Sequence, residues 1–244
     1  MNYEVPKARL EDIQIDEYRD SASLAQWTQW LLYAQIAISV AAVWSGVIER
    51  ETLQSIDGGQ YGSEDASTQA AQLSDQRQAF VALGQIAIFI LSGVFCLRWI
   101  HRMCHNARIR ASHMEYTPGW SIGWYFVPIA YWWKPFQAMK EIWGKSVDQA
   151  GPRGVDSSGL LGVWWTLWIV NSLLSNASFR MSARPGGIDG ALAANVVNIT
   201  SDLLAIPLAV VFIVMVKRLT AMQEYAHENP IDPATAPAIP GANW

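Results

Sequence analysis

The sequence is poor in what soluble enzymes use most. Of 244 residues only 16% are charged and only two are cysteine, Cys96 and Cys104. Soluble domains carry roughly a quarter charged residues. Two cysteines cannot staple a secreted mini-protein, and eight positions along one helix separate them by about 12 Å, too far for a disulfide. No glycine-rich phosphate loop, H-E-x-x-H or G-x-S-x-G string occurs, so no nucleophile–base pair is legible and a non-enzymatic role is expected. His101 and His105 have metal-compatible spacing beside Cys104, but the surrounding arginines disfavour a dication and only His113 and His227 remain as further ligands. Neither a metal nor a cofactor is expected. A formal net charge of −4 supplies no field for nucleic acid.

What the chain does have is apolar length. Residues 27–48, 79–97 and 159–179 contain no charge at all, and residues 191–216 contain one, Asp202. A helix needs about 20 apolar residues to cross the hydrocarbon core, so each run suffices. The mean hydropathy of +0.11 hides this, because two acidic stretches dilute it. The first 23 residues hold six acids, and residues 49–78 hold six more. The expected organisation is an acidic cytoplasmic segment over 1–26, one membrane domain over 27–228 and a disordered proline-rich tail over 229–244. No cleavable leader is expected, since an acidic segment precedes the first apolar run.

Residues 116–133, YTPGWSIGWYFVPIAYWW, are also uncharged, and could pass for a fifth span. Pro118 and Pro128 argue against a continuous helix, and a helix from Gly119 to Trp133 would rise only about 22 Å. Charge separates the alternatives. With four spans, thirteen Lys/Arg fall on one side and four on the other; with five, the split is nine to eight. The positive-inside rule therefore favours four spans, arranged as two hairpins with both termini cytoplasmic. The 116–133 segment then dips into the membrane and returns, with Trp120, Trp124, Trp132 and Trp133 at headgroup level. The expected fold is all-α: four transmembrane helices and a central cytoplasmic-side module over 98–158.

That module is basic. No acid occurs between Asp75 and Glu115, and RWIHRMCHNARIR continues the second span into the cytoplasm. Downstream, Pro135 suits a helix first turn, and Phe136, Met139, Trp143 and Val147 share one face of an amphipathic helix with basic edges. Positive-inside anchoring on phosphate headgroups explains such a block, and so does a site for a particular anionic lipid or protein partner.

The string RWIHRMCHNAR followed by YTPGWSIGWYFVPIAYWWKPFQAMKEIW resembles domain-of-unknown-function family 4328, bacterial multipass membrane proteins. The positions carrying the likeness are Arg98, Arg102, Asn106, Pro118, Gly119, Trp120, Gly123, Trp124, Pro128, Trp133, Lys134, Pro135 and Trp143. The resemblance covers some 50 residues; it implies topology and the bacterial cytoplasmic (inner) membrane, and no mechanism. The residues expected to bind lipid or a partner are Arg98, Arg102, Asn106, Trp120, Trp124, Pro128, Trp133, Lys134, Pro135, Lys140 and Trp143. The partners expected are membrane lipids with anionic headgroups, and a protein partner or second copy of the chain.

Within the spans a second, polar cluster is expected. Asn195, Asn198 and Asp202 share a helical face, and Asn171 and Ser175 lie on the neighbouring span. Charge inside a membrane is costly and often marks a solute pathway, so an ion or small-solute transporter is the alternative function; interhelical hydrogen bonding explains the same residues without one. Ala34, Ala37, Ala41 and Ser45 form a small-residue stripe suited to close packing. The repeated W-T-x-W at Trp27 and Trp165 hints at two related hairpins.

Overall fold

A computed structural model describes residues 17–111, 113–156, 158–183 and 186–230. Most of the acidic segment, Arg184 and all but Asn229 and Pro230 of the proline-rich tail lie outside these residues. Among the described residues every regular element is helical. The six α-helices are α1 (Ala22–Asp57), α2 (Glu64–Arg110), α3 (Pro118–Gly123), α4 (Lys134–Ala150), α5 (Ser158–Ser182) and α6 (Gly187–Glu228). Single 3₁₀ turns lie at Trp124–Phe126, Ala130–Trp132 and Gly151–Arg153. α1, α2 and α6 are long and apolar enough to cross a membrane. α5, 25 residues long, is not among these three.

The helices run well past the uncharged stretches. α2 has 47 residues, about 70 Å at 1.5 Å per residue. It starts where Ser63 Oγ accepts the Ala66 N–H (3.3 Å), with Glu64 and Asp65 complementing the helix dipole in the first turn. It runs without a break to the last residue of the basic string, Arg110. Pro207 sits inside the 42-residue α6 on an exposed face, and the helix continues through it.

α1 and α2 form one hairpin, α5 and α6 another, and the hairpins join where α1 packs on α6. The core is not centred on the spans. It gathers at one end, the basic end, where the start of α1 and the ends of α2 and α6 meet α4 and the start of α5. Trp99, Met103, Met139, Ile142, Trp143, Met215 and Leu219 are buried there. Polar side chains pin this core: Trp99 Nε1 donates to Thr220 Oγ1 (3.1 Å), and Gln223 Nε2 donates to the Met103 carbonyl and to Ser146 Oγ (both 2.9 Å). In contrast, the apolar stretch of α2 is almost wholly exposed along Phe80, Leu83, Phe89 and Ile90.

Two expectations need adjusting. On α1 the buried stripe is Thr28, Leu32, Ser39, Ala42, Ser45 and Gly46, while Ala37 and Ala41 face outward. Gly46 makes the close approach instead, because a Cβ there would stand 2.7 Å from Ile199 Cγ1. The W-T-x-W echo also does not carry into packing: Trp27 and Trp30 are exposed, whereas Trp165 and Trp168 stack on each other at 4.7 Å inside an aromatic cluster.

Candidate functional site: a cationic cleft at the basic end

The cleft is built by the chain's first described residues turning back onto α2. Asn106 holds this strap in a two-way amide clasp: its Oδ1 accepts the Arg19 N–H (3.1 Å) and its Nδ2 donates to the Arg19 carbonyl (3.0 Å). Arg102 Nη1 donates to the Asp20 carbonyl (2.5 Å), and His105 Nε2 lies 3.3 Å from the Glu17 carbonyl. Tyr18 stacks on His227 of α6 at 4.0 Å, which ties the strap to the far end of the chain. Backbone carbonyls, not carboxylates, therefore occupy these donors at the strap.

The resulting cleft of about 300 Å³ is lined by Arg19, Arg98, His101 and Arg102, with Leu24 and Ile122 as its apolar walls. No carboxylate of the described residues lies within 4.0 Å of these cationic groups. His101 registers that field. Burial first, then the charges of His105, Arg19 and Arg102, push its pKa below the ordinary 6.5. Cationic side chains and two apolar ones thus share one small cleft.

The segment between α2 and α4 leaves this region and comes back. Tyr116 and Lys134, at its two ends, meet with Lys134 Nζ donating to Tyr116 Oη at 3.2 Å. Thr117 caps α3 by accepting the Trp120 N–H, and a tight turn at Pro128–Ile129–Ala130 reverses the chain. There Ile129 has φ 69° and ψ −53°, the strained γ-turn conformation, with the Ala130 N–H on the Pro128 carbonyl at 2.8 Å. Tyr125 and Tyr131 of this segment pack edge-on against Trp168 of α5. A second groove, of about 550 Å³ and open, runs along Glu115, Tyr116, Lys134, Gln137, Lys140 and Glu141. Its charges are largely balanced: Glu141 accepts the Glu115 and Tyr116 N–H groups, and Lys134 lies 3.7 Å from Glu115 and over the rings of Tyr116 and Trp124. The hydrogen bond with Tyr116, the first of its causes, raises the Lys134 pKa.

The expected lipid- or partner-binding residues thus divide. Arg98 and Arg102 line the cleft, Lys134 and Lys140 the groove, and Trp120, Pro128 and Trp133 stand exposed beside them. Trp124 is half-buried against Trp120. Pro135 and Trp143 are buried, Trp143 donating from Nε1 to the Val155 carbonyl (2.9 Å), so they shape the module from within. The apolar face of α4 rests on α2, α5 and α6, where protein takes the place of headgroups. Asn106 is buried and serves the strap.

The residues of the expected polar cluster divide as well. Asn195 Nδ2 donates to the Gly46 carbonyl (2.9 Å) and to Glu49 Oε2 (2.8 Å), and Gln78 also donates to Glu49 (2.7 Å). Asp202 accepts from Gln85 Nε2 at 2.7 Å. Asn198 turns instead toward α5, where Ser178 donates to it, and Ser201 joins Asn171 (3.4 Å) and Ser175 (3.0 Å) on that same seam. One cluster becomes two: Asn195 and Asp202 bond to α1 and α2, while Asn198 and Ser201 bond to α5.

Arg19 and the strap escaped the sequence reading, as did Glu49 and Gln85. Arg19 sits among acids, and nothing local says that it returns to α2. Glu49 and Gln85 fell outside the polar stripe because their partners are on other helices.

A family model described as domain of unknown function (DUF4328) matches residues 62–221, from just before α2 to the last part of α6. No curated protein and no solved structure matches.

Proposed function

The chain belongs to the DUF4328 family, whose description assigns no activity, and from that premise we propose a non-enzymatic membrane scaffold or accessory protein that holds anionic phospholipid headgroups in its cationic cleft. Four helices, α1, α2, α5 and α6, cross the bacterial cytoplasmic membrane with both termini in the cytoplasm, and residues 116–133 form a re-entrant segment. One observation carries this reading: Arg19, Arg98, His101 and Arg102 converge with no carboxylate of the described residues within 4.0 Å, beside apolar Leu24 and Ile122. A phosphate supplies the missing counterion, and an acyl chain suits the apolar wall and the exposed Trp27 and Trp30 nearby.

The test compares full-length protein in nanodiscs of phosphatidylglycerol and of phosphatidylcholine, with bound lipid identified by native mass spectrometry. Each basic residue near an anionic surface contributes about 1 kcal/mol, so Arg98→Gln with Arg102→Gln should weaken phosphatidylglycerol retention roughly tenfold or more. Lys140→Gln, in the charge-balanced groove, should change it far less. An unchanged lipid set in the double variant refutes the reading. Loss of a co-purifying protein in place of lipid moves the site to a protein partner or a second copy of the chain.

A further inference from the structure

We propose, resting on the headgroup reading above, that the cleft selects lipids whose headgroup carries two negative charges over those that carry one. Charge number decides this. Arg98 and Arg102 stand one turn apart on α2, and Arg19 reaches the same cleft from the strap. A guanidinium does not lose its proton, so three permanent positive charges share a cleft of about 300 Å³. The Arg98 and Arg19 side chains make no hydrogen bond to another described residue, and Arg102 gives one N–H to the Asp20 carbonyl. No described carboxylate lies within 4.0 Å of them. A phosphodiester such as phosphatidylglycerol brings one negative charge and leaves two guanidinium charges facing each other. A phosphomonoester carries about −1.5 to −2 at pH 7 and offers three terminal oxygens, enough for each guanidinium to meet an acceptor. Two phosphodiesters in one lipid, as in cardiolipin, supply the same pair of charges. His101 reports the same shortage, since after burial the charges of His105, Arg19 and Arg102 disfavour its imidazolium.

Position favours a lipid over a soluble phosphate. Arg98 follows Leu97, the last residue of one uncharged run, and Leu24 stands three residues before another run begins. The cleft therefore sits where α1 and α2 leave their apolar stretches, the level at which headgroup phosphates lie. Leu24 and Ile122 wall it, and Trp27, one turn beyond Leu24, is 60% exposed.

The test loads full-length protein in mild detergent with phosphatidic acid, cardiolipin, phosphatidylglycerol or phosphatidylcholine of matched acyl chains. Bound lipid is counted by native mass spectrometry at about pH 7.5, above the second ionisation of a phosphomonoester. Wild type should retain phosphatidic acid, cardiolipin or both at least roughly fivefold more than phosphatidylglycerol, the effect of about one further paired charge. The better retained of the two shows whether one phosphomonoester or two phosphodiesters supply the charges. Arg19→Gln is the sharper variant, because Asn106 grips the Arg19 backbone and both clasp bonds survive the change. It should weaken the dianionic lipids roughly fivefold and phosphatidylglycerol less, which also separates charge from the extra acyl chains of cardiolipin. Equal retention of all three anionic lipids by wild type, or an equal loss of all three in Arg19→Gln, overturns the proposal. So does displacement of the dianionic lipid by millimolar inorganic phosphate, since a lipid also held through its acyl chain outlasts that ion. The headgroup reading itself fails by a different result, namely no anionic lipid retained above phosphatidylcholine.

Discussion

The two halves of α6 are packed by different rules. Toward its C-terminal end Met215, Val216 and Leu219 are fully enclosed by α2 and α4, in a core like that of a water-soluble protein. Nearer the middle Leu203 and Val210 are exposed, and α2 beside them presents Phe89, 68% exposed. Apolar side chains gain from burial only where water is the alternative. In hydrocarbon they gain little by leaving the surroundings, and helices meet through small and polar residues instead, as Gly46, Ser39, Asn195 and Asp202 do. The basic end is therefore the densely packed part of this protein, and the helices meet along a thin seam elsewhere.

The largest break in that contrast should come from the core. Trp143→Ala, which removes a buried ring and its bond to Val155, should cost about 3–5 kcal/mol in reversible unfolding in detergent. Phe89→Ala, of comparable chemistry on the exposed face, should fall within about 0.5 kcal/mol; equal losses would erase the distinction. Next in size is Asn106→Ala. It abolishes both strap hydrogen bonds and should cost about 1–3 kcal/mol, while also lowering anionic-lipid retention because Arg19 is released from the cleft. Retention at the wild-type level would make the strap structural only. The smallest effect concerns pH. His101 has a folded pKa below its ordinary 6.5, so the fold disfavours its charged form. Its contribution to stability is complete above pH 6.5 and declines as pH falls below that value. His101→Gln should flatten this part of the profile, and anionic lipid should oppose the decline by favouring the imidazolium.

Much of the architecture was legible because membrane length and basic-residue bias are local properties. The uncharged runs at 27–48, 79–97 and 191–216 lie inside α1, α2 and α6, and RWIHRMCHNARIR does extend α2. Pro118, Pro128 and Pro135 foretold the broken segment and the start of α4. The site was legible only in part. Arg98 and Arg102 could be named from the basic string and the resemblance, but Arg19 could not, since its position depends on Asn106 gripping a strap 87 residues away in sequence. The faces of Trp143 and of the α4 helix were correctly read as apolar, yet periodicity does not say whether lipid or protein covers them.

By itself, then, the sequence determined helical class, the apolar lengths and a basic block with an aromatic neighbour. Those follow from hydrophobic transfer and backbone hydrogen bonding, which act within one segment. Tertiary structure alone decided that the core lies at the basic end, that three arginines and a histidine meet in one cleft with no described carboxylate within 4.0 Å, and that Asp202 faces Gln85 while Asn198 turns to α5. Those outcomes depend on which helix stands beside which, and a choice of neighbour is a balance of packing and pairing across the whole bundle that no single stretch of sequence carries.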